Sequence, residues 1–298
     1  MKMNKKKLLG PIITAAAAIV ALIIITAAVS ASSSAKKGSD EKTNTTEVAS
    51  SETASSETET TTEEEVAGEN PKNKKEAERI EKEADKRVYL TFDDGPGKYT
   101  NELLDILKEY DVKATFFDVK VSDEEDKAAL KRCYDEGHTI AIHTMTHDYD
   151  EVYANIENWK EDVLGEQKFI EDVTGIKTFY YRFPGGSSNT IARNRGTSIE
   201  ECIKWLNANG FTYYDWNVDN EDATGKSFTP EQLVANVVDY MPEGGDYMVL
   251  MHDTAAKENT IKSIPLLIET LKKEGYTLCQ ITDNTEYFQH KKYDQVGD

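Results

Sequence analysis

The chain predicts an α/β protein, a parallel sheet with helices packed outside it. Two observations carry that expectation. From Lys86 onward, short apolar or aromatic runs alternate with longer segments that present one polar face, the pattern of repeated strand–helix units. Glycines stand at the ends of several helical segments, where a left-handed residue stops a helix. Periodicity alone leaves two architectures open, a doubly wound sheet and a closed barrel. Both place functional groups just beyond the C-terminal ends of the strands.

The elements follow in order. A strand at 87–92 leads to the amphipathic helix NELLDILKEY at 101–110. A strand at 114–119 precedes a helix at 123–136 that stops at Gly137, and a strand at 139–143 precedes a helix at 153–173 that stops at Gly175. The fourth strand, 179–183, is followed by a helix at 198–209 and Gly210. The fifth, 211–216, is followed by a helix at 230–241, with Thr229 as its cap. A strand at 247–251, a helix at 260–274 and a strand at 276–281 complete the set, about seven strands in all.

The segment ahead of this domain has a different composition. Residues 8–29 form an uncharged apolar stretch preceded by Lys2, Lys5, Lys6 and Lys7. It is long enough to cross a bilayer as a helix, with the lysines on the cytoplasmic side. A cleaved signal segment ending near Val29-Ser30-Ala31 is the rival reading. The length favours a transmembrane anchor over a signal core. Either way the rest of the chain lies outside the cell, tethered to the membrane or secreted. Residues 30–70 are rich in Ser, Thr and Glu and poor in large apolar side chains, so we expect a disordered linker. A short charged helix is expected at 71–85. The folded domain is then 86–290, with a tail at 291–298.

The formal net charge of −20 argues against nucleic-acid binding and reads as solubility. Oligomeric state is not legible. The three cysteines, Cys133, Cys202 and Cys279, are widely spaced and outside any CxxC motif. They read as small buried apolar residues.

The reactive residues cluster at one rim. Asp93 and Asp94 follow the first strand, His143 and His147 the third, Arg182 and Pro184 the fourth, Asp215 and Trp216 the fifth, and His252 and Asp253 the sixth. Five polar clusters in phase with the strand ends suggest a site. His143 and His147 are four residues apart, a spacing that on a helical turn puts both rings on one side of a cation. Two imidazoles and one carboxylate leave positions open for water and substrate. One of the paired aspartates binds the cation; the other stays free to take a proton from water. His138 and His290 receive no role.

These five stretches resemble the motifs of polysaccharide deacetylases of the NodB-homology type, carbohydrate esterase family four. TFDDGP at 91–96 matches the first motif, HTMTH at 143–147 the second, and RFPGG at 182–186 the third. YYDW at 213–216 matches the end of the fourth, Asp-x-x-Asp-Trp, and LMHD at 250–253 the fifth. The resemblance implies a distorted (β/α) barrel of about seven parallel strands and hydrolytic removal of acetyl groups from glycans. It implies one divalent cation, zinc by default with cobalt, nickel or manganese as alternatives. By motif, Asp93 resembles the general base, His252 the general acid, and Asp94, His143 and His147 the metal ligands. Arg182 looks like the partner that positions Asp93, and Asp215 like the carboxylate that tunes His252. Gly185, Trp216 and Leu250 fall at substrate-binding positions.

Two departures stand out: Gly185 replaces the usual tyrosine of the third motif, and Thr212 replaces the first aspartate of the fourth. The reading expected from the whole is N-deacetylation of peptidoglycan. Chitin oligomers or O-acetylated xylan are alternative substrates. A non-catalytic glycan-binding module and a two-His-one-carboxylate iron oxygenase are the rival classes.

Overall fold

The computed structural model describes residues 68–242 and 244–292. Its first element is α1 (Lys74–Glu83), then come β1 (Arg87–Asp93), α2 (Thr100–Glu109), β2 (Thr115–Val119), α3 (Glu124–Asp135) and β3 (Thr139–Thr144). The middle of the domain holds α4 (Tyr149–Val152), α5 (Ile156–Thr174), β4 (Tyr180–Tyr181), α6 (Ile191–Arg195) and α7 (Ile199–Ala208). It ends with β5 (Thr212–Tyr213), β6 (Val218–Asp219), α8 (Pro230–Val238), β7 (Tyr247–His252), α9 (Glu258–Lys273) and β8 (Thr277–Cys279). The expected alternation holds apart from two added short helices, α4 and α6, and the consecutive strands β5 and β6, and local chemistry explains where some bounds differ. The long helix starts later than expected because the Asn155 side chain accepts from the N–H groups of Glu157 and Asn158 and caps it there. Thr229 and Gln232 form the reciprocal capping box of α8.

All recorded strand pairs are parallel, and the sheet runs β5-β4-β3-β2-β1-β7-β6, with β8 also paired to β1. The strand expected at 211–216 is confined to Thr212–Tyr213, a further strand follows at Val218–Asp219, and the two lie at opposite ends of this order. Laid flat, seven strands would separate the two edges by roughly 29 Å. The link between Tyr213 and Val218 reaches no further than about 19 Å, at 3.8 Å per Cα step. The sheet must therefore curl until its edges approach, and it forms an open barrel. This selects the barrel from the two architectures that periodicity allowed.

Alternation along each strand sorts the side chains. Val88, Leu90 and Phe92 of β1, with Phe116, Ile140, Ile142, Val249 and Met251, join the core between sheet and helices. Tyr89, Phe117, Ala141, Tyr180, Tyr214 and Met248 fill the barrel interior. Cys133, Cys202 and Cys279 are free and buried, as expected.

The charged helix α1 is more than a lead-in. Ile80 and Ala84 pack against the interior cluster, and Glu81, 4% exposed, is buried with them. Its carboxylate accepts from the hydroxyls of Tyr89, Thr282 and Thr285, so the helix plugs the end of the barrel opposite the strand C-termini. The linker expected over 30–70 also ends earlier than its last residues. The Asn70 side chain donates to Ile140 O at 2.7 Å and accepts from Ile140 N at 3.0 Å, docking the chain on β3. The anchor or signal segment at 8–29 and most of the linker lie outside the described residues. Among the described residues, no helix is long and apolar enough to cross a membrane.

Glu81→Ala should leave three buried hydroxyls without their acceptor. Urea unfolding should show a loss of about 3 kcal/mol, the scale of hydrogen bonds to a charged group. An unchanged midpoint would remove α1 from the barrel's stability.

Candidate active site

The chain is forced into an unusual path where β1 ends. Asp93 is the last residue of β1 and 2% exposed. Asp94 follows with φ 69 and so turns into the left-handed region. The next residue is Gly95, where an added Cβ would stand 2.2 Å from Asp253 Oδ1; only glycine permits that approach. Asp253 is fixed in turn by the Thr100 hydroxyl, which donates to Oδ2 at 2.6 Å. His147 also has positive φ, 51. Non-glycine residues in this region are uncommon and cluster where function holds the backbone. His143 lies on β3, and His147 follows in the loop, so the turn after β3, not a helical turn, brings the two rings together.

The turn places Asp94 Oδ1 3.3 Å from His143 Nε2 and 3.3 Å from His147 Nε2. The three donor atoms lie within 4.8 Å of one another. Donors about 2.0–2.1 Å from a tetrahedral ion stand roughly 3.4 Å apart, so the spacing fits one cation. The hydrogen bonding fits as well. His143 Nδ1 lies 2.9 Å from Arg182 O, an acceptor only, so Nδ1 carries the proton and Nε2 presents a lone pair. Asp94 Oδ1 is buried without a hydrogen-bond partner. Burial works against the Asp94 charge, yet the close approach of His143, with the charges of His147 and His252, holds it below the usual carboxylate range. Burial keeps His147 below its ordinary value and therefore neutral, the state that ligates metal.

Arg182 organises the neighbouring carboxylate. It is fully buried, its Nη1 donates to Asp93 Oδ1 at 2.6 Å and to the Thr91 hydroxyl at 2.8 Å, and Nε and Nη2 donate to Tyr214 O and Asp215 O. Its guanidinium lies 3.9 Å over the Phe117 ring. Asp93 Oδ2 remains 4.0 Å from His143 Nε2, facing the ligand cluster without entering it.

The expectation for Asp215 is corrected. His252 Nδ1 bonds Asp222 Oδ1 at 2.6 Å, and Asp222 Oδ2 accepts from the His252 N–H and the Thr260 hydroxyl. Asp215 instead accepts from Ser187 N at 2.7 Å and His290 N at 2.8 Å and fastens the chain's end to the third-motif loop. The Asp-x-x-Asp spacing of the fourth motif is met at Asp219 and Asp222, followed by Ala223 where the motif has tryptophan. Thr212 is therefore no departure, and the match that assigned Trp216 to the pocket wall falls on Ala223. Trp216 packs edge-on to His290 at 4.9 Å, 5.8 Å from the Arg182 guanidinium. Burial opposes the charge on His252, but the Asp222 hydrogen bond and the nearby carboxylates raise it to about 9. It is a protonated imidazole at neutral pH, with Nε2 4.0 Å from Asp94 Oδ2.

Leu250 shares the inner face of β7 with His252 and is buried, yet it belongs to neither apolar cluster. This sets it against the site rather than in the packing core. Gly185 has φ 78, and its N–H has no acceptor among the described residues. Of the unassigned histidines, His138 is a core residue whose Nδ1 accepts from Ala114 N.

A protein-family model described as polysaccharide deacetylase matches residues 80–200. A putative polysaccharide deacetylase of Bacillus subtilis is 35% identical over 202 residues, covering 67% of this chain and 68% of that protein. The chain belongs to the polysaccharide deacetylase family. A peptidoglycan-N-acetylglucosamine deacetylase of Bacillus cereus is 32% identical over 218 residues, covering 71% of this deacetylase and 76% of that one. Among solved structures, the catalytic domain of a peptidoglycan N-acetylglucosamine deacetylase from Eubacterium rectale superposes with a TM-score of 0.66 at 36% identity, covering 69% of this chain and 93% of that one. Family members are metal-dependent, and this deacetylase has an Asp/His/His cluster of the right size.

Activity that needs protonated His252 falls as pH rises through its pKa. Asp222→Asn removes the charge that raises that pKa, so the alkaline limb of the kcat profile should move to lower pH. Asp215→Asn should leave the limb in place. The reverse pattern would return the tuning role to Asp215.

Proposed function

We propose that this deacetylase hydrolyses acetamide groups on N-acetylated amino sugars of peptidoglycan, with zinc held by Asp94, His143 and His147. The observation that carries the reading is the pair of equal 3.3 Å approaches to an orphaned Asp94 oxygen, beside a second aspartate that a buried arginine keeps apart. The names of the relatives supply the substrate class.

A divalent cation at the three ligands would supply Lewis acidity to the acetamide carbonyl and to the attacking water. Asp93, anchored through Oδ1 by Arg182, takes the water's proton on Oδ2. The Gly185 N–H donates to the oxyanion that develops on the carbonyl, a contribution of about 2.7–4 kcal/mol. His252, held by Asp222, gives its proton to the departing amine; without that proton an amide does not break readily. Leu250 lines the space for the acetyl methyl. The base and the acid stand in register on the paired strands β1 and β7, each 4.0 Å from a member of the ligand cluster. An iron oxygenase would have no use for that pair. The non-catalytic reading is disfavoured by the complete set of acid, base and ligand residues. Residues 8–29 would hold the domain at the outer membrane face, within reach of the wall.

Purified protein with zinc should release acetate from glycan strands of peptidoglycan, and a chelator should abolish release. Asp93→Asn should lower kcat by about 10²-fold or more at unchanged metal content. Full turnover by that variant would refute the assigned base. Acetate from chitin oligomers or xylan alone would move the substrate.

A further inference from the structure

The third motif lacks its tyrosine here, and the space beside Gly185 is not vacant. The Tyr149 hydroxyl oxygen lies 3.6 Å from where a Cβ on Gly185 would stand. Tyr149 opens α4, directly after the second motif. Its ring meets His147 edge to face at 5.2 Å and stacks on Tyr153 at 6.0 Å. Tyr153 donates its hydroxyl to Pro184 O at 2.9 Å, so the two tyrosines bridge the second- and third-motif loops. On the outer side the Arg195 guanidinium lies 5.9 Å over the Tyr149 ring and is itself paired with Asp150. The ring is thus fixed by its neighbours, while the hydroxyl has no hydrogen-bond partner among the described residues. A tyrosine pairs an apolar ring with a polar tip that is open to a hydrogen-bond partner. This one sits beside Gly185, close enough to the site for the charges of Asp94 and Asp93 to act on it.

We propose that Tyr149 is a substrate-binding residue of this deacetylase. Its hydroxyl hydrogen-bonds a hydroxyl of the amino-sugar ring, and so supplies from the second motif the contact that the third motif has lost at Gly185. The inference rests on the proposed function for its substrate class. It adds a residue outside the five motifs and explains how Gly185 is tolerated. The contact orients the sugar and takes no part in proton transfer.

Tyr149→Phe removes the hydroxyl and keeps the ring packed on His147. Glycan affinity should be measured by calorimetry beside acetate release from the same acetylated amino-sugar oligomer, hydrolysis of a small aryl acetate, and zinc content. The expected result is about a tenfold rise in Kd and KM for the oligomer. The kcat, the aryl acetate rate and the zinc content should stay within about twofold of the parent. Unchanged oligomer Kd would overturn the proposal, and so would an equal loss on oligomer and aryl acetate with loss of zinc, which marks a structural role at His147. If the parent binds oligomer but releases no acetate, the deacetylase reading fails while the Kd comparison still decides the role of Tyr149.

Discussion

One buried arginine holds the site together. The Arg182 guanidinium fixes Asp93 from inside the barrel, while its carbonyl fixes the tautomer of His143. Asp93 and His143 are therefore oriented by the two ends of a single residue that directly follows β4. A charge this deeply buried is tolerated because all three guanidinium nitrogens have acceptors and an aromatic face lies beneath them. Removing either Asp93 or Arg182 would leave an unpaired charge in the interior. The two aspartates can sit side by side because their partners differ. Arg182 pairs with Asp93, and the imidazoles of His143 and His147 approach Asp94.

The barrel's geometry is what makes this constellation reachable. β1 pairs with β2 on one side and with β7 on the other, so Asp93, with His252 beside it in register, stands at the centre of the rim. The third-motif loop comes from β4, two strands beyond β2. It approaches β7 because the short link after Tyr213 pulls the sheet's edges together. Residues 288–291 strengthen that gap. Phe288 O accepts from Asp215 N at 2.6 Å, Gln289 donates to Tyr213 O, and Lys291 N donates to the Ser187 hydroxyl. Residues 288–291, where the expected domain passes into the expected tail, thus form a strap across the open side, with His290 set against Trp216.

Much of this was legible in the sequence where chemistry and position coincide. The strand ends were visible as apolar runs that stop at Asp, His or Arg, and Asp94, His143 and His147 do converge. The four-residue spacing of the histidines suggests a helical turn, whereas the backbone is a strand end followed by a left-handed turn at His147. Asp222 is masked in the sequence because the Asp-Trp pair at 215–216 meets the end of the motif before it. The signal that would have found it was the Asp-x-x-Asp spacing at 219–222, just downstream. The barrel's curl was not legible because it depends on which strands lie at the sheet's edges, and periodicity carries no information on strand order. The role of α1 was hidden for a similar reason. Glu81 looks like one more surface acid until three distant hydroxyls converge on it.

The most direct test is an anomalous-diffraction map of crystals grown with zinc. The account predicts one strong peak coordinated by Asp94, His143 and His147, with Asp93 outside the coordination sphere and still bonded to Arg182. A peak ligated by Asp93, or zinc bound elsewhere with the three side chains turned apart, would contradict it.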